Sequence, residues 1–239
     1  LGDDGAGFSA TEVTPLVQST DQNFRPVDIE VGPDGAVYFL DWQNPLIGHM
    51  QHHLRDPSRD QSHGRVYRIW CPDRELQEVV SLPELSTLEL VERLTHPSDR
   101  ERYRARIELS DRDTPEVIAA ADEFLRALDL EGPEVEHRML EALWLKAQHD
   151  VYDADLLSRV LPSPDPRARA AAVRVLRNLR HHVDTEHALE QLAVCLEDSS
   201  LRVQTEAIVA LSFFEHRRAA ELALAYRGRF MTDRFHDYA

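Results

Sequence analysis

Ser163-Pro164-Asp165-Pro166-Arg167-Ala168-Arg169-Ala170-Ala171-Ala172-Val173-Arg174-Val175-Leu176 is the stretch that decides the fold. Pro166 stands where a helix can begin, because its fixed φ suits the first turn and its missing N–H has no partner there anyway. Ala172 and Leu176 lie four residues apart, which puts both on one helix face. The same pairing recurs as Ala105 with Leu109, Met139 with Leu143 and Ala207 with Leu211, so the four leucines are spaced by 34, 33 and 35 residues. Arg100-Glu101-Arg102, Arg167-Ala168-Arg169 and Arg202-Val203-Gln204 recur at the matching helix starts. The small residues of this column let adjacent helices pack closely. A period near 34 with two helices per unit predicts an α-solenoid.

Outward from that stretch, everything after Leu85 reads as helix. Ser86 and Glu89 form a capping box ahead of an apolar run. Asp113-Thr114-Pro115-Glu116 and Gly132-Pro133 each place a proline near a first helical turn. Helices are expected near 86–95, 99–109, 115–128, 133–149, 153–161, 165–182, 185–197, 200–214 and 216–227. The 163–176 stretch resembles a HEAT repeat. The period is short for that family, so armadillo-like or other paired-helix repeats stay open. The expected fold is mostly α with a small β part: HEAT-like helix pairs over 85–239, preceded by about one antiparallel β-propeller blade over 1–78.

The first 78 residues have a different grammar. Thr11–Val17, Val27–Val31, Ala36–Asp41 and Arg65–Trp70 are rich in β-branched and aromatic residues, as strands are. Val27-Asp28-Ile29-Glu30-Val31 alternates as a strand with unlike faces does. Gly32-Pro33-Asp34-Gly35 between two of these segments is a tight-turn signal. Four strands are too few for a self-sufficient sheet with two covered faces. A propeller blade has that strand number and buries its faces against neighbouring blades.

Composition sets limits. The chain has 239 residues with 43 acidic against 27 basic side chains, a formal net charge of −16, and its basic residues are 26 Arg and one Lys, Lys146. That balance argues against an extended nucleic-acid surface or anionic lipid, both of which need clustered positive charge. No apolar run reaches the length of a membrane span. Leu1-Gly2-Asp3-Asp4-Gly5 has no signal-peptide character and no initiator Met, so the chain is expected to be a piece of something longer. Cys71 and Cys195 form no CxxC, zinc pair or haem-attachment motif, and two lone buried thiols are expected rather than a disulfide.

Chemistry, if any, is expected between Trp42 and Gly64, where 21 residues show little strand or helix periodicity. This loop holds His49, His52, His53 and His63 beside Arg55, Asp56, Arg59 and Asp60, and its formal charge is zero. Three readings stand together. His49 and His52 are spaced to meet one metal on a helical turn, with Asp56 or Asp60 as oxygen ligand. The imidazoles could instead serve as general bases near neutral pH in a redox or substrate site. Or the groups satisfy one another and nearby carbonyls and merely anchor the loop. Upstream, Arg25 opens a strand next to Pro26, where a guanidinium can clamp a carboxylate through two parallel bonds or pair with Asp28 or Asp41. Trp42 is expected to pack beneath the loop. His181-His182 closes a helix, where positive charge suits the dipole.

The string Asn23-Phe24-Arg25-Pro26-Val27-Asp28, Gly32-Pro33-Asp34-Gly35 through Asp41-Trp42, Asn44-Pro45-Leu46-Ile47-Gly48-His49, His52-His53-Leu54-Arg55-Asp56-Pro57-Ser58-Arg59-Asp60 and His63-Gly64-Arg65-Val66-Tyr67-Arg68-Ile69 resembles the large membrane-bound dehydrogenases of planctomycete-type bacteria. These are similar to glucose/sorbosone dehydrogenases, in which a β-propeller binds pyrroloquinoline quinone. In them a HEAT-like segment follows the propeller, and a CxxCH cytochrome c domain often comes next. The resemblance implies a parent oxidoreductase of the periplasm or cell envelope, using the quinone with calcium on a sugar-like alcohol and passing electrons to a cytochrome. It implies that Arg25, with Asp28 and Asp41, faces the quinone or substrate, and that His49, His52, His53 and His63 line or cover the pocket. No CxxCH is present, so no haem is attached covalently here. Alternatives of other classes are a non-catalytic HEAT scaffold for a protein partner, and a degenerate propeller that binds carbohydrate without turnover.

Overall fold

The computed structural model describes residues 1–45, 56–60, 62–132, 134–226, 233 and 235. Among the described residues the strands are β1 (Gly2–Asp4), β2 (Gly7–Ser9), β3 (Pro26–Val31), β4 (Val37–Asp41) and β5 (Arg65–Ile69). The helices are α1 (Thr87–Arg93), α2 (Asp99–Ser110), α3 (Thr114–Arg126), α4 (Val135–Gln148), α5 (Ala154–Val160), α6 (Pro166–Asn178), α7 (Thr185–Cys195), α8 (Leu201–Leu211) and α9 (Arg217–Tyr226). Each expected helix is present with its ends within three residues of the forecast, apart from 165–182, whose last turn is a separate 3₁₀ turn at Arg180–His182. Two compact units result. One joins Glu12–Ser81 with Pro97–Glu101, and the other joins Leu1–Thr11, Leu82–His96 and Arg102–Ala239.

In the helical unit, α4 packs on α6 and α6 on α8 as one layer, while α1 packs on α3 and α7 on α9 in the other. Contacts of α3 with α4, α4 with α5, α5 with α6 and α7 with α8 join the layers. The leucine column is the core of this stack: Leu109 and Leu176 are fully buried, Leu143 is 2% and Leu211 3% exposed. Ala105, Ala172 and Ala207 beside them are fully buried, and Met139 fills the matching place in α4. Burying each such leucine contributes about 1.5–3 kcal/mol. At α1, Ser86 Oγ accepts the Glu89 N–H and the Glu89 carboxylate accepts the Ser86 N–H at 2.8 Å, which completes the capping box.

The recurring helix-start triplets share one job in their third residue. Arg102 donates to the His96 carbonyl at 2.6 Å, Arg169 to the Ser163 carbonyl at 2.8 Å, and the Gln204 amide to the Asp198 carbonyl. Each reaches six residues back and ties the preceding turn to its helix. Glu136 occupies the matching place in α4 and, lacking a proton to donate, makes no such clamp.

The buried charges of this unit are paired. Glu141 is 2% exposed, and Arg106 grips it through Nε at 3.1 Å and through Nη2, with His137 Nε2 at 3.2 Å. Lys146, the chain's single lysine, is 4% exposed and bonds Asp122 and Asp153 at 2.5 Å each, tying α3, α4 and the start of α5 together. Burial works to lower its pKa, but the two carboxylates more than offset that, so the ammonium is held on. The β1–β2 hairpin belongs to this unit as well. Arg202 of α8 bonds Asp3 at 2.8 Å and the Gly7 carbonyl at 3.3 Å, and its guanidinium lies 4.2 Å from the centre of the Phe8 ring.

In the other unit, β3, β4 and β5 form one antiparallel sheet in that order. The turn before β4 works as the sequence suggests: Gly35 takes φ +77°, a region that favours glycine, and Gly32 N–H bonds the Ala36 carbonyl at 2.8 Å. Phe24, Phe39 and Tyr67 cluster on one face, with Phe39 and Tyr67 stacked at 4.9 Å. Thr11–Val17 is not a strand; it is irregular and exposed, with Pro15 inside it and no ladder partner for its backbone. Nor are both thiols buried. Cys195 is, but Cys71 lies just past the end of β5 and is exposed.

Candidate functional site

Asp41 ends β4 with Pro26 of β3 opposite it on one side and Arg65 of β5 on the other. Its side chain is fully buried. Oδ1 accepts the N–H of Arg25 at 2.7 Å and that of Gln43 at 2.8 Å, and Gln43 sits in the left-handed region at φ +46°. One carboxylate oxygen therefore closes the β3 entry and holds a costly backbone conformation where the long loop begins. The Trp42 N–H adds a bond to the Arg25 carbonyl at 3.0 Å. Asp41 Oδ2 lies 3.5 Å from Arg65 Nη1, which itself bonds Asp21 at 3.1 Å. The Asn23 N–H first, then Arg65, hold the Asp21 carboxyl below its ordinary value.

Arg25 is half-buried at this mouth. Its Nη1 donates to the Phe24 carbonyl at 2.7 Å, while its buried Nε has no hydrogen-bond partner among the described residues. The structure thus brings Arg25 and Asp41 together, through the arginine's backbone rather than its guanidinium. Asp28 is exposed, and its carboxylate accepts the Ile29 N–H at 2.9 Å. The partners that sequence reasoning missed are Asp21 and Arg65. They lie 44 residues apart, and only the pairing of β4 with β5 brings them to the same end of the sheet.

His49, His52 and His53 lie outside the described residues, as does Arg55. Of the rest of the loop, Asp56 accepts the Ser58 N–H at 2.9 Å and its hydroxyl at 2.5 Å, closing a local turn. Asp60 accepts the Ser62 N–H at 3.0 Å, the Ser62 hydroxyl and the His63 N–H, and lies 3.0 Å from His63 Nδ1. The Ser62 bonds lead in holding its carboxyl down to about 2. Trp42, expected beneath this loop, is 46% exposed.

At the opposite end of the sheet a cleft of about 490 Å³ opens between Leu16, Asp34, Trp70, Cys71 and Arg74. Asp34 organises its wall, taking bonds from Tyr38 Oη at 2.9 Å, the Ala36 N–H at 3.1 Å and Arg68 at 2.5 Å. Burial pushes its carboxyl up, and those donors together bring it below its ordinary value.

Comparison with protein families matches residues 1–73 to a domain of unknown function (DUF7133) and residues 154–228 to HEAT repeats. Residues 154–228 of the solenoid are thus similar to HEAT repeats. No curated protein matches the chain. The HEAT match covers α5 to α9, and the column of Leu176 and Leu211 runs through it. Repeats of this architecture present extended surfaces and serve as interaction modules. No helix among the described residues is long and apolar enough to cross a membrane.

Proposed function

We propose that these residues belong to a quinone-dependent, sugar- or alcohol-oxidising propeller protein of the periplasm or cell envelope. In it the three-stranded sheet is a blade, and the helical repeat is the module that docks a cytochrome domain or another protein. The observation that carries this reading is the sheet's exposure. Ile29 (67%), Val31 (43%) and Tyr67 (36%) stand exposed on one face, and Leu40 (43%) and Val66 (70%) on the other. A sheet that leaves apolar side chains uncovered on both faces is short of partners on both faces. Propeller blades are covered in that way by their neighbours.

The residues at the sheet mouth suit an anionic, polar cofactor. Arg25 offers a guanidinium whose buried Nε has no hydrogen-bond partner among the described residues, while Arg65 beside it is engaged by Asp21 at 3.1 Å. In this reading Arg25 contacts the quinone, and Asp41 is a positioning residue that fixes the Arg25 backbone. Pyrroloquinoline quinone, bound with calcium, supplies the hydride acceptor.

Expression of the full open reading frame, reconstitution with the quinone and calcium, and a dye-reduction assay across sugars and alcohols tests this. Substrate-dependent dye reduction that falls in Arg25→Ala is the expected result, and no reduction with any alcohol would overturn it. The HEAT match favours a second reading, in which the module is a scaffold that binds a protein without turnover. That reading predicts a stable complex with no redox activity.

A further inference from the structure

Among the described residues, a further cluster of metal-ligating side chains lies on the helical unit, where turns of two successive repeats meet. Asp150 follows α4, and His181 and His182 follow α6, 31 residues further on and so close to one repeat period. Asp150 holds φ +58°, with its N–H bonded to the Ala147 carbonyl at 3.1 Å and the Val151 N–H to the Lys146 carbonyl at 2.9 Å. This is the left-handed helix ending that Gly usually supplies and that Asp tolerates through its short polar side chain. The Asp150 carboxylate is thereby set against both imidazoles: Oδ1 lies 3.0 Å from His181 Nε2 and 3.1 Å from His182 Nε2. The two rings sit 4.1 Å apart at 43°. His149, the nearest other imidazole in sequence, is already engaged, with Nδ1 3.0 Å from Thr114 Oγ1 and Nε2 3.0 Å from the Leu109 carbonyl.

We propose that Asp150, His181 and His182 form a binding site for a divalent transition ion of the zinc class, held through two imidazole Nε2 atoms and one carboxylate oxygen. The ligand atoms of the three residues all lie within 4.8 Å of one another. With bonds of about 2.0–2.1 Å, the edge of a tetrahedral zinc site is about 3.3 Å. The existing separations of 3.0 and 3.1 Å need only small outward shifts to reach it. The donor set selects the metal class: imidazole nitrogens suit zinc, copper and nickel, whereas calcium and magnesium take oxygen ligands throughout. With all three side chains exposed, the fourth position is open to water. The ion would clip one repeat to the next, adding to the neighbour contacts on which a solenoid's stability rests.

The test is titration of metal-free protein with Zn²⁺ against a chromogenic chelator, with melting temperature read in parallel. Three variants are compared with the parent: His181→Ala/His182→Ala, Asp150→Asn, and a loop variant with His49, His52, His53 and His63 replaced by Ala. Asn keeps the tolerance for the left-handed backbone, so Asp150→Asn leaves the turn intact. The parent and the loop variant should each bind one equivalent that the double-histidine variant lacks, and Zn²⁺ should raise their melting temperature but not that of the double variant. Asp150→Asn should weaken this site by more than the about 10–100-fold that loss of an outer-shell partner costs. Equal stoichiometry in the parent and the double-histidine variant, or zinc binding lost only in the loop variant, would overturn the assignment.

Discussion

Replacing Lys146 with Met removes the chain's single lysine ammonium from a site where it is 4% exposed. The stem keeps most of its packing, so the change isolates the charge. Two carboxylates lose a partner, but unequally. The Asp122 side chain is 48% exposed and rehydrates, so its share resembles a surface pair at under about 1 kcal/mol. The Asp153 side chain is 23% exposed and also caps α5 by accepting the Leu156 N–H at 2.9 Å. Its share falls between that and the about 3–5 kcal/mol of a fully buried broken pair. The expected total is about 2–3 kcal/mol, or a melting temperature lower by about 4–12 °C for a chain of this size. Adding Asp153→Asn to Lys146→Met should recover part of the loss, because the only carboxylate then left without its partner is the half-exposed Asp122, and the amide oxygen can still cap α5. Thermal melting of the parent and the two variants at neutral pH measures this. If Lys146→Met melts within a degree of the parent, or the double variant melts lower than the single, the reasoning fails.

Other outcomes follow from the same structure. Leu176→Ala, at a fully buried position of the repeat column, should cost about 2–5 kcal/mol in denaturant unfolding, and Leu224→Ala, at 65% exposure, far less. Asp41→Ala leaves the N–H groups of Arg25 and Gln43 without their acceptor and should cost about 1–3 kcal/mol, with faster proteolysis at residues 42–45. Below pH 4 the protein should lose stability. Asp165 is held below its ordinary 3.8 chiefly by Arg167, and in Asp198 and Asp153 burial is outweighed by Arg169 and Lys146 respectively, so their contribution is present above 3.8 and disappears as pH falls through the lowered values. A melting series in which Asp198→Asn matched the parent at neutral pH would contradict that. Cys71 should react with a thiol reagent in the native state and Cys195 only on unfolding, since burial pushes the Cys195 thiol up to about 11.

The solenoid was legible because its signal is periodic and local: Leu109, Leu143, Leu176 and Leu211 repeat at helical spacing, and every one is buried. Strands β3 to β5 were legible for the same reason, through alternation and the Gly32–Gly35 turn. The misses come from tertiary context. Gly2–Asp4 and Gly7–Ser9 are strands of three residues each, too short to carry a pattern, and Arg202, 199 residues from Asp3, helps hold them. Thr11–Val17 had the composition of a strand without a partner to pair with. His181 and His182 read as a helix-end charge effect, because nothing in the sequence announces that Asp150 takes a left-handed turn and points its carboxylate at both. At the sheet mouth, a pairing of Arg25 with Asp28 or Asp41 was already offered by the sequence, and the structure makes the Asp41 one through the Arg25 backbone, whereas Asp21 and Arg65 needed the strand register.

The measurement closest to the central claim is sugar- or alcohol-dependent dye reduction by the full open reading frame after loading with pyrroloquinoline quinone and calcium. The account predicts turnover in the parent that drops at least tenfold in Arg25→Ala while melting temperature and helical content hold, a loss of about 1.4 kcal/mol or more in transition-state stabilisation. A quinone-loaded protein that turns over no alcohol, or one whose Arg25→Ala variant keeps full activity, would contradict it.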